Sequence, residues 1–334
     1  MNTSPIVSVV IPTYNCAAYV GAAVESVLGQ KYSPTEVIVV DDGSTDDTAE
    51  ILRPYLSRIT LVSQPNRGVA AARNAGIAHS TGELVAFLDA DDLWHPEKLA
   101  EQVRLFELEP GLGVCFTNYA PFGEALPYST GFDRGDGWFY RLPRRALSEN
   151  GYVLECPSLV KEFILHGTYP CWTSTVVVRR RCLTAVGGFA ETWTGYGFVE
   201  DIHLWLRLAR RYRFGYVDRV LAHRRVRLAR FEPVQDEHDQ QIFHRTIDML
   251  RTLHRYIPLT GDERRAVAQR IAHYQLSAGY FYFARECLTA ARSNLIASLS
   301  TAFTWKALYY LVLSLVPLRA IRALRALKRA SASS

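Results

Sequence analysis

Paired cysteines at metal-ligand spacing are missing from this 334-residue chain. Its six cysteines, Cys16, Cys115, Cys156, Cys171, Cys182 and Cys287, are scattered, with no CxxC among them. That argues against a zinc site or a disulfide scaffold and fits a reducing compartment, so the expected location is the cytoplasm. The opening MNTSPIVSVVIP has neither a basic start nor a long apolar core and does not read as a signal peptide. Long hydrophobic runs are also lacking. The longest, Ala307 to Leu318, contains Pro317 and covers about 12 residues, whereas spanning a bilayer takes roughly 20. No repeat with a period of roughly 20–50 residues occurs. Acidic residues are absent beyond Cys287, where seven basic ones fall: Arg292, Lys306, Arg319, Arg322, Arg325, Lys328 and Arg329.

What is present is ordinary globular composition, 49% hydrophobic and 21% charged, on a chain long enough for a sizeable core. The net charge of +5 belongs to the tail. Removing its seven basic residues from 38 leaves 31 against 33 acidic, a body near −2. Nucleic acid is therefore not an expected partner.

The first third alternates β-branched runs with helical spacing. Strands are expected at Val7–Ile11, Glu36–Val40, Ile59–Ser63, Leu84–Leu88 and Gly113–Asn118. Helices are expected at Ala17–Leu28, Asp47–Leu56, Gly68–His79 and Pro96–Glu107, the last with proline in the tolerated first turn. Alternation of this kind implies βαβ units, an α/β fold with a mostly parallel sheet flanked by helices. Residues 119–170 mix proline, glycine and the aromatics Phe132, Trp138, Phe139 and Tyr140 with little periodicity, and read as loops and short elements. A strand Thr173–Val178, a helix Arg180–Val186 stopped by Gly187-Gly188, a helix Asp201–Arg211 and a strand Phe214–Val220 follow. Leu204, Trp205 and Leu208 are expected to face inward. The rest is helical, near 235–256, 262–290 and 302–329, with breaks at Pro258, Gly261 and Ser293-Asn294. The expected organisation is one α/β domain over 1–230 and a helical C-terminal extension over 231–334.

Ligands of open α/β sheets sit beyond the carboxyl ends of strands. Three successive strand ends carry polar clusters: Pro12-Thr-Tyr-Asn15, Asp41-Asp42-Gly-Ser-Thr-Asp46 and Asp89-Ala-Asp-Asp92. Asn15, Asp46 and Asp47 fit helix capping equally well. Asp89, Asp91 and Asp92 are different, because three carboxylates in four residues repel one another unless a cation lies between them. Hard oxygen ligands suit Mg²⁺ or Mn²⁺, and an ion held by one or two carboxylates takes its remaining ligands from water and substrate phosphates. A phosphorylated or nucleotide substrate is the corollary.

The strings VSVVIPTYN, EVIVVDDGSTDDT, NRGVAAARNAGI and FLDADDLWHPEKL, in this order and spacing, resemble the family 2 glycosyltransferases. The resemblance is strong over residues 6–108. It continues more loosely through Trp172-Thr-Ser-Thr175 and Gly197-Phe-Val-Glu-Asp201 to about 225. It implies the A-type glycosyltransferase fold, with 1–230 as catalytic domain, a nucleotide-binding half over 1–118 and an acceptor-binding half over 119–230. It implies an inverting, hexosyltransferase-type enzyme using a nucleoside diphosphate sugar, typically UDP-linked, and a glycan or lipid-linked acceptor of cell-envelope polysaccharide synthesis. By the same resemblance Pro12, Thr13, Tyr14 and Asp42 bind the base, and Arg73 lies near the nucleotide. Asp89 approaches the ribose or the metal, and Asp91 binds the metal. Asp201 is the general base, with Glu200 orienting it or touching the acceptor. Asp92 is left between the metal and capping the next helix.

Weaker candidates remain open. Trp172, Trp193 and Tyr196 flank the base segment and stack either on a sugar or in the core. His223 is a metal- or phosphate-facing residue or an ordinary loop histidine. Arg224 and Arg225 meet a pyrophosphate or are solvated. On a helix over 318–330, Ala320, Ile321, Leu324 and Leu327 fall on one arc, with Arg319, Arg322, Arg325 and Arg329 largely on the other. With Trp305, Tyr309 and Tyr310 upstream, residues 302–329 read as an interfacial helix for an anionic membrane, or one packing on the body or on a second subunit of an oligomer. The rival to an enzyme is a non-catalytic sugar-nucleotide-binding or membrane-associated scaffold, which would be expected to lose these carboxylates.

Overall fold

The computed structural model describes residues 4–123, 130–132, 137–193, 199–226 and 236–316. The β-branched runs form strands β1 (Val7–Thr13), β2 (Thr35–Asp41), β3 (Thr60–Ser63) and β4 (Leu84–Phe87). Between them lie helices α1 (Val20–Leu28), α2 (Thr48–Leu52) and α3 (Val69–His79). A two-residue strand β5 (Leu93–Trp94), helix α4 (Lys98–Leu108) and strand β6 (Leu112–Phe122) follow. The second half adds β7 (Arg144–Ala146), β8 (Gly151–Leu154), α5 (Leu159–His166), β9 (Val177–Arg179), α6 (Arg180–Val186), α7 (Val199–Ala209) and β10 (Arg213–Arg225).

One mixed sheet runs in the order β3-β2-β1-β4-β9-β6-β10-β8-β7, with β5 paired to β10. β1 pairs in parallel with β2 and β4, β2 with β3, and β6 with β10, while β9 is antiparallel between β4 and β6. Every residue of β1 is buried, because helices cover both sheet faces. Its alternate residues Val7, Val9 and Ile11 join Val20, Val24 and Val27 of α1 and Leu99, Val103 and Phe106 of α4 in one core. On the other face α3 approaches so closely that a Cβ at Gly76 would lie 2.2 Å from Val10 Cγ1. The chain starts at β1, moves out to β2 and β3, then crosses to β4 on the other side. The loops after β1 and β4 therefore flank a crevice.

Several boundaries differ from expectation for local reasons. The helix after β1 starts at Val20, because residues 15–17 are tied by their backbone amides to Ser44, Thr48 and Asp46. Pro54 turns the end of α2 into a 3₁₀ turn over Arg53–Tyr55. Helix α4 begins after Pro96, whose carbonyl instead accepts from Lys31 N at 2.9 Å. Residues Thr173–Thr175, expected as strand, form a 3₁₀ turn, with Thr175 Oγ1 donating to Trp172 O at 2.7 Å. Hydroxyls that bond locally compete with sheet pairing. The region 119–170 holds more regular structure than its composition indicated, including β7, β8 and α5.

The structure resolves into two compact units, Met1–Gln235 and Asp236–Ser334. The second contains α8 (Asp236–Thr252), α9 (Gly261–Ala284), α10 (Leu288–Thr301) and α11 (Trp305–Leu315). Thr260 and Glu263 close a reciprocal cap on α9. The break after α9 falls at Arg285–Cys287, where Glu286 takes φ 64°, and not at Ser293-Asn294, which lie inside α10. All of the chain beyond residue 316, including the helix expected over 318–330, lies outside the described residues.

Candidate active site

The first two loops are braced against each other. Asn15, at φ 48°, accepts from Thr45 N at 2.8 Å through Oδ1, and its own amide donates to Ser44 Oγ at 3.0 Å. Asp46 accepts from Ala17 N and Thr48 N, so it ties the loops together as well as serving the start of α2; Asp47 makes no side-chain cap. Pro12 and Thr13 are buried while Tyr14 is exposed. Thr13 Oγ1 has no hydrogen-bond partner among the described residues. Asp42 is buried and accepts from Gln64 Nε2 at 2.7 Å, Arg67 N at 3.0 Å and Gly68 N at 2.7 Å. Gly68, at φ 88°, turns its amide into that carboxylate and opens α3.

Helix α3 carries Arg73 beneath the end of β4. Its guanidinium donates to Asp89 Oδ1 at 2.8 Å and to Glu200 Oε1 at 3.1 Å, and lies 5.2 Å from the centroid of the Phe189 ring. Burial opposes the Arg73 charge, but Asp89 and Glu200 outweigh it and hold the group more firmly protonated than usual. Glu200 also moves up, because burial outweighs the pull of Arg73. The two shifts share a direction because one arginine faces several carboxylates. Glu200 Oε2 is buried without a hydrogen-bond partner among the described residues.

Asp201 lies in the first turn of α7, which starts at Val199, so it is not the cap of a helix beginning after it. Its Oδ2 accepts from Thr173 Oγ1 at 3.2 Å and its Oδ1 from Ile202 N at 2.6 Å. Burial first, and the charge of Glu200 second, push its carboxyl well above the usual range, while Arg73 pulls back. The inward positions Leu204, Trp205 and Leu208 are fully buried and fix α7 on the sheet.

Asp92 caps nothing; it is a junction. Its carboxylate accepts from Trp172 Nε1 at 2.9 Å, Ser174 Oγ at 2.6 Å and Arg225 N at 2.8 Å. The Arg225 guanidinium donates to Asp91 O at 3.0 Å. Asp89 N donates to Ser174 Oγ at 3.1 Å. Burial, then the charges of Asp89 and Asp91, push the Asp92 carboxyl up to about 7 despite its donors. Trp172 is covered on one face by Arg224, whose Cζ is 4.2 Å from the ring centroid. Trp193 is partly buried near His203, with ring centroids 6.4 Å apart, and Tyr196 lies outside the described residues. His223 sits on β10 opposite Leu93 and packs on Phe122; burial, then His95, lowers its pKa.

The structure thus brings Arg73, Asp89, Glu200 and Asp201 into one buried group, with Asp91 and Asp92 beside Asp89. It places Asp42 in a separate loop anchor. Among the described residues no three His, Cys, Asp or Glu side chains converge as a cation cage. The donor set nevertheless fits a hard ion that takes one or two carboxylates, since Asp89 and Asp91 supply two and their surplus charge already raises Asp92. Sequence reasoning gave no role to Thr173 and Ser174, although a run of hydroxyls directly after Trp172 was a signal against a strand. Glu191, which accepts from Arg67 at 2.9 Å and from Asn74 at 3.2 Å, was also missed.

The model of glycosyl transferase family 2 matches residues 8–165. A putative teichuronic acid biosynthesis glycosyltransferase, TuaG of Bacillus subtilis, is 42% identical over 123 residues, covering 36% of this chain and 48% of that protein. The chain spans half or less of the length of the curated relatives it matches first. Staphylococcus aureus TarS 1–349, solved in complex with UDP-GlcNAc, superposes at TM-score 0.63 and 19% identity, covering 89% of this chain and 81% of that one. The mannosyltransferase PcManGT from Pyrobaculum calidifontis, in complex with GDP-Man and Mn²⁺, gives TM-score 0.57 and 22% identity, covering 98% and 81%. At these identities the solved structures establish the fold. Residues 8–165 carry a glycosyl transferase family 2 domain, and the fold is the A-type glycosyltransferase fold.

Proposed function

We propose that this chain is an inverting glycosyltransferase that moves a sugar from a nucleoside diphosphate sugar, UDP-linked in this reading, to a hydroxyl of a glycan or lipid-linked acceptor. The observation that carries the reading is the buried ion group in which Arg73 joins Asp89 to Glu200 beside Asp201. It ties the motif that would face the diphosphate to the residue that would receive the acceptor proton. The ligands of the two solved structures, UDP-GlcNAc and GDP-Man, support a nucleotide-sugar donor. The similarity to TuaG, named for teichuronic acid biosynthesis, supports a cell-envelope polysaccharide acceptor. None of the six cysteines forms a disulfide among the described residues, which fits a cytoplasmic site of action.

In the proposed step Asp201 takes the proton of the acceptor hydroxyl. The acceptor oxygen bonds to the anomeric carbon as the bond from that carbon to the diphosphate oxygen breaks. The nucleoside diphosphate leaves with the bonding pair, and the configuration inverts. A base works in its deprotonated form, and its strength rises with its pKa, so the upward shift of Asp201 serves the role. Thr13 would offer its buried hydroxyl to the base, with Pro12 and Tyr14 beside it. Asp42 has three donors already, and its remaining acceptor capacity would meet an N–H of the base. Trp172, Trp193 and Tyr196 would line the acceptor side. Asp89 and Asp91, with His223 as a further candidate, would hold Mn²⁺ or Mg²⁺. When bound, that ion would neutralise charge on the departing diphosphate.

Asp201→Asn keeps the size and most hydrogen bonds, so transfer should fall about a thousandfold while nucleotide-sugar binding in a thermal-shift panel stays intact. Undiminished transfer would remove Asp201 as the base. The acid limb of kcat/KM should lie above roughly pH 4, the ordinary carboxylate value, and move down in Glu200→Gln, which removes the neighbouring negative charge. Chelation should suppress transfer by the native chain, and Asp91→Asn should require more added Mn²⁺. Full activity in excess EDTA would eliminate the metal. No thermal shift with any nucleotide sugar at millimolar concentration would favour the scaffold reading.

A further inference from the structure

Helix α11 presents an apolar face to solvent. Trp305 is 77% exposed, Tyr309 59%, Val312 54% and Leu315 65%, and Phe303 just before the helix is 59% exposed. Positions 305, 309 and 312 share one side of a helix, and 315 continues it at the far end. The opposite side is taken. Ala307 and Ser314 are fully buried, Arg292 donates to the Ser314 carbonyl, and Tyr310 lies 5.7 Å from Phe283 between ring centroids. Thr304 caps the helix through Ala307 N at 3.2 Å, so the face is presented by a formed element. A helix that packs on one side ordinarily turns polar residues to water on the other. Here the solvent side is aromatic and aliphatic, with Lys306 its only charged residue.

What covers this face is indicated by charge. From Leu288 to the end the chain holds seven basic residues and no acidic one. At 11 residues α11 is about 16 Å long, well short of the roughly 30 Å apolar layer of a bilayer. No described helix is long and apolar enough to cross a membrane. We infer that α11 lies in the surface of an anionic lipid bilayer, its Trp305–Leu315 face in the headgroup and upper acyl region. Tryptophan and tyrosine suit that boundary, with an apolar ring body and a polar edge. Lys306 and the basic residues that follow it in the sequence add attraction to acidic headgroups. The inference is independent of the catalytic reading, because it rests only on the second unit.

The test uses the full chain and no activity assay. Vesicles of phosphatidylcholine alone are compared with vesicles containing about 30% phosphatidylglycerol. Flotation should recover the protein with the anionic vesicles, and less of it at about 0.5 M NaCl. Replacing the exposed positions together, Trp305→Ser, Tyr309→Ser, Val312→Ser and Leu315→Ser, should lower vesicle binding at least about tenfold. Because these side chains face solvent, the circular dichroism spectrum and Tm should hold. Equal flotation of the variant and the native chain would overturn the proposal. So would a native chain that ignores anionic vesicles. If light scattering shows an oligomer that this variant dissociates, without vesicle binding by the native chain, the face belongs to a second copy.

Discussion

Two regions of the first unit bury a carboxylate, and they hold it differently. Asp42 receives two backbone amides and one side-chain amide from residues 64–68. Asp201 receives one hydroxyl and the amide of the next residue, with Glu200 beside it and Arg73 shared among several acids. The first arrangement fixes a loop, since three amide donors shape the chain around one acceptor group. The second leaves a buried charge under-compensated, which keeps the group basic. Proximity in sequence separates them too. Asp42 is satisfied by the loop after the next strand, whereas Asp201 depends on Thr173 and Arg73, from turns and helices far along the chain.

That contrast can be broken by removing Arg73. In Arg73→Gln the buried Glu200 and the partly exposed Asp89 lose their counter-charge, and unfolding in urea should show a loss of about 3–5 kcal/mol near pH 7. Glu200 and Asp201 already have raised folded-state values, and losing Arg73 raises them further. The penalty should grow as pH rises through neutrality and shrink below pH ~3, where the Glu200 and Asp201 carboxyls are protonated in both states. A penalty independent of pH would mean that Arg73 acts by packing alone.

A smaller effect is expected at the other pole. Asp42→Ala leaves the amides of Arg67 and Gly68 without their acceptor and should lower stability by about 2 kcal/mol. Its signature should be faster hydrogen exchange confined to residues 64–68, with the kcat/KM acid limb unmoved. A shifted acid limb would show that the two regions are coupled.

The smallest effect sharpens the support under Thr173 and Ser174. Buried Lys98 donates to Gln102 Oε1 at 2.7 Å, and Gln102 donates to Thr175 O at 2.9 Å, just after the hydroxyl pair. Burial lowers the Lys98 pKa well below its free value. The unfolded chain therefore binds more proton at this site at neutral pH, and stability gains as pH rises toward ~10. Lys98→Met lacks that term. It should be more stable than the native chain by about 1 kcal/mol at pH 7, with the Tm difference closing by pH ~10. A constant difference would show that Lys98 keeps its charge when folded.

The β-branched runs were legible because a strand buried on both faces reads as an unbroken apolar string. The motif carboxylates were legible because three acids in four residues demand an explanation. Asp92 was not legible as a junction. Its donors come from Trp172, Ser174 and Arg225, at least 80 residues away along the chain. Nor was the turn at Thr173–Thr175, since a run of threonine, serine and valine carries strand propensity, and only distant acids reveal what the hydroxyls bond.

The sequence by itself determined the alternation of strands and helices, the acidic loop ends and the separation of a basic C-terminal stretch from a slightly acidic body. Spacing and local chemistry suffice for those. Only the tertiary structure decided which carboxylates share an arginine and which are consumed by their own loops. Burial and the approach of charges from distant segments set whether an aspartate is held by its loop or has its carboxyl pushed up, and neither is written in its immediate neighbours.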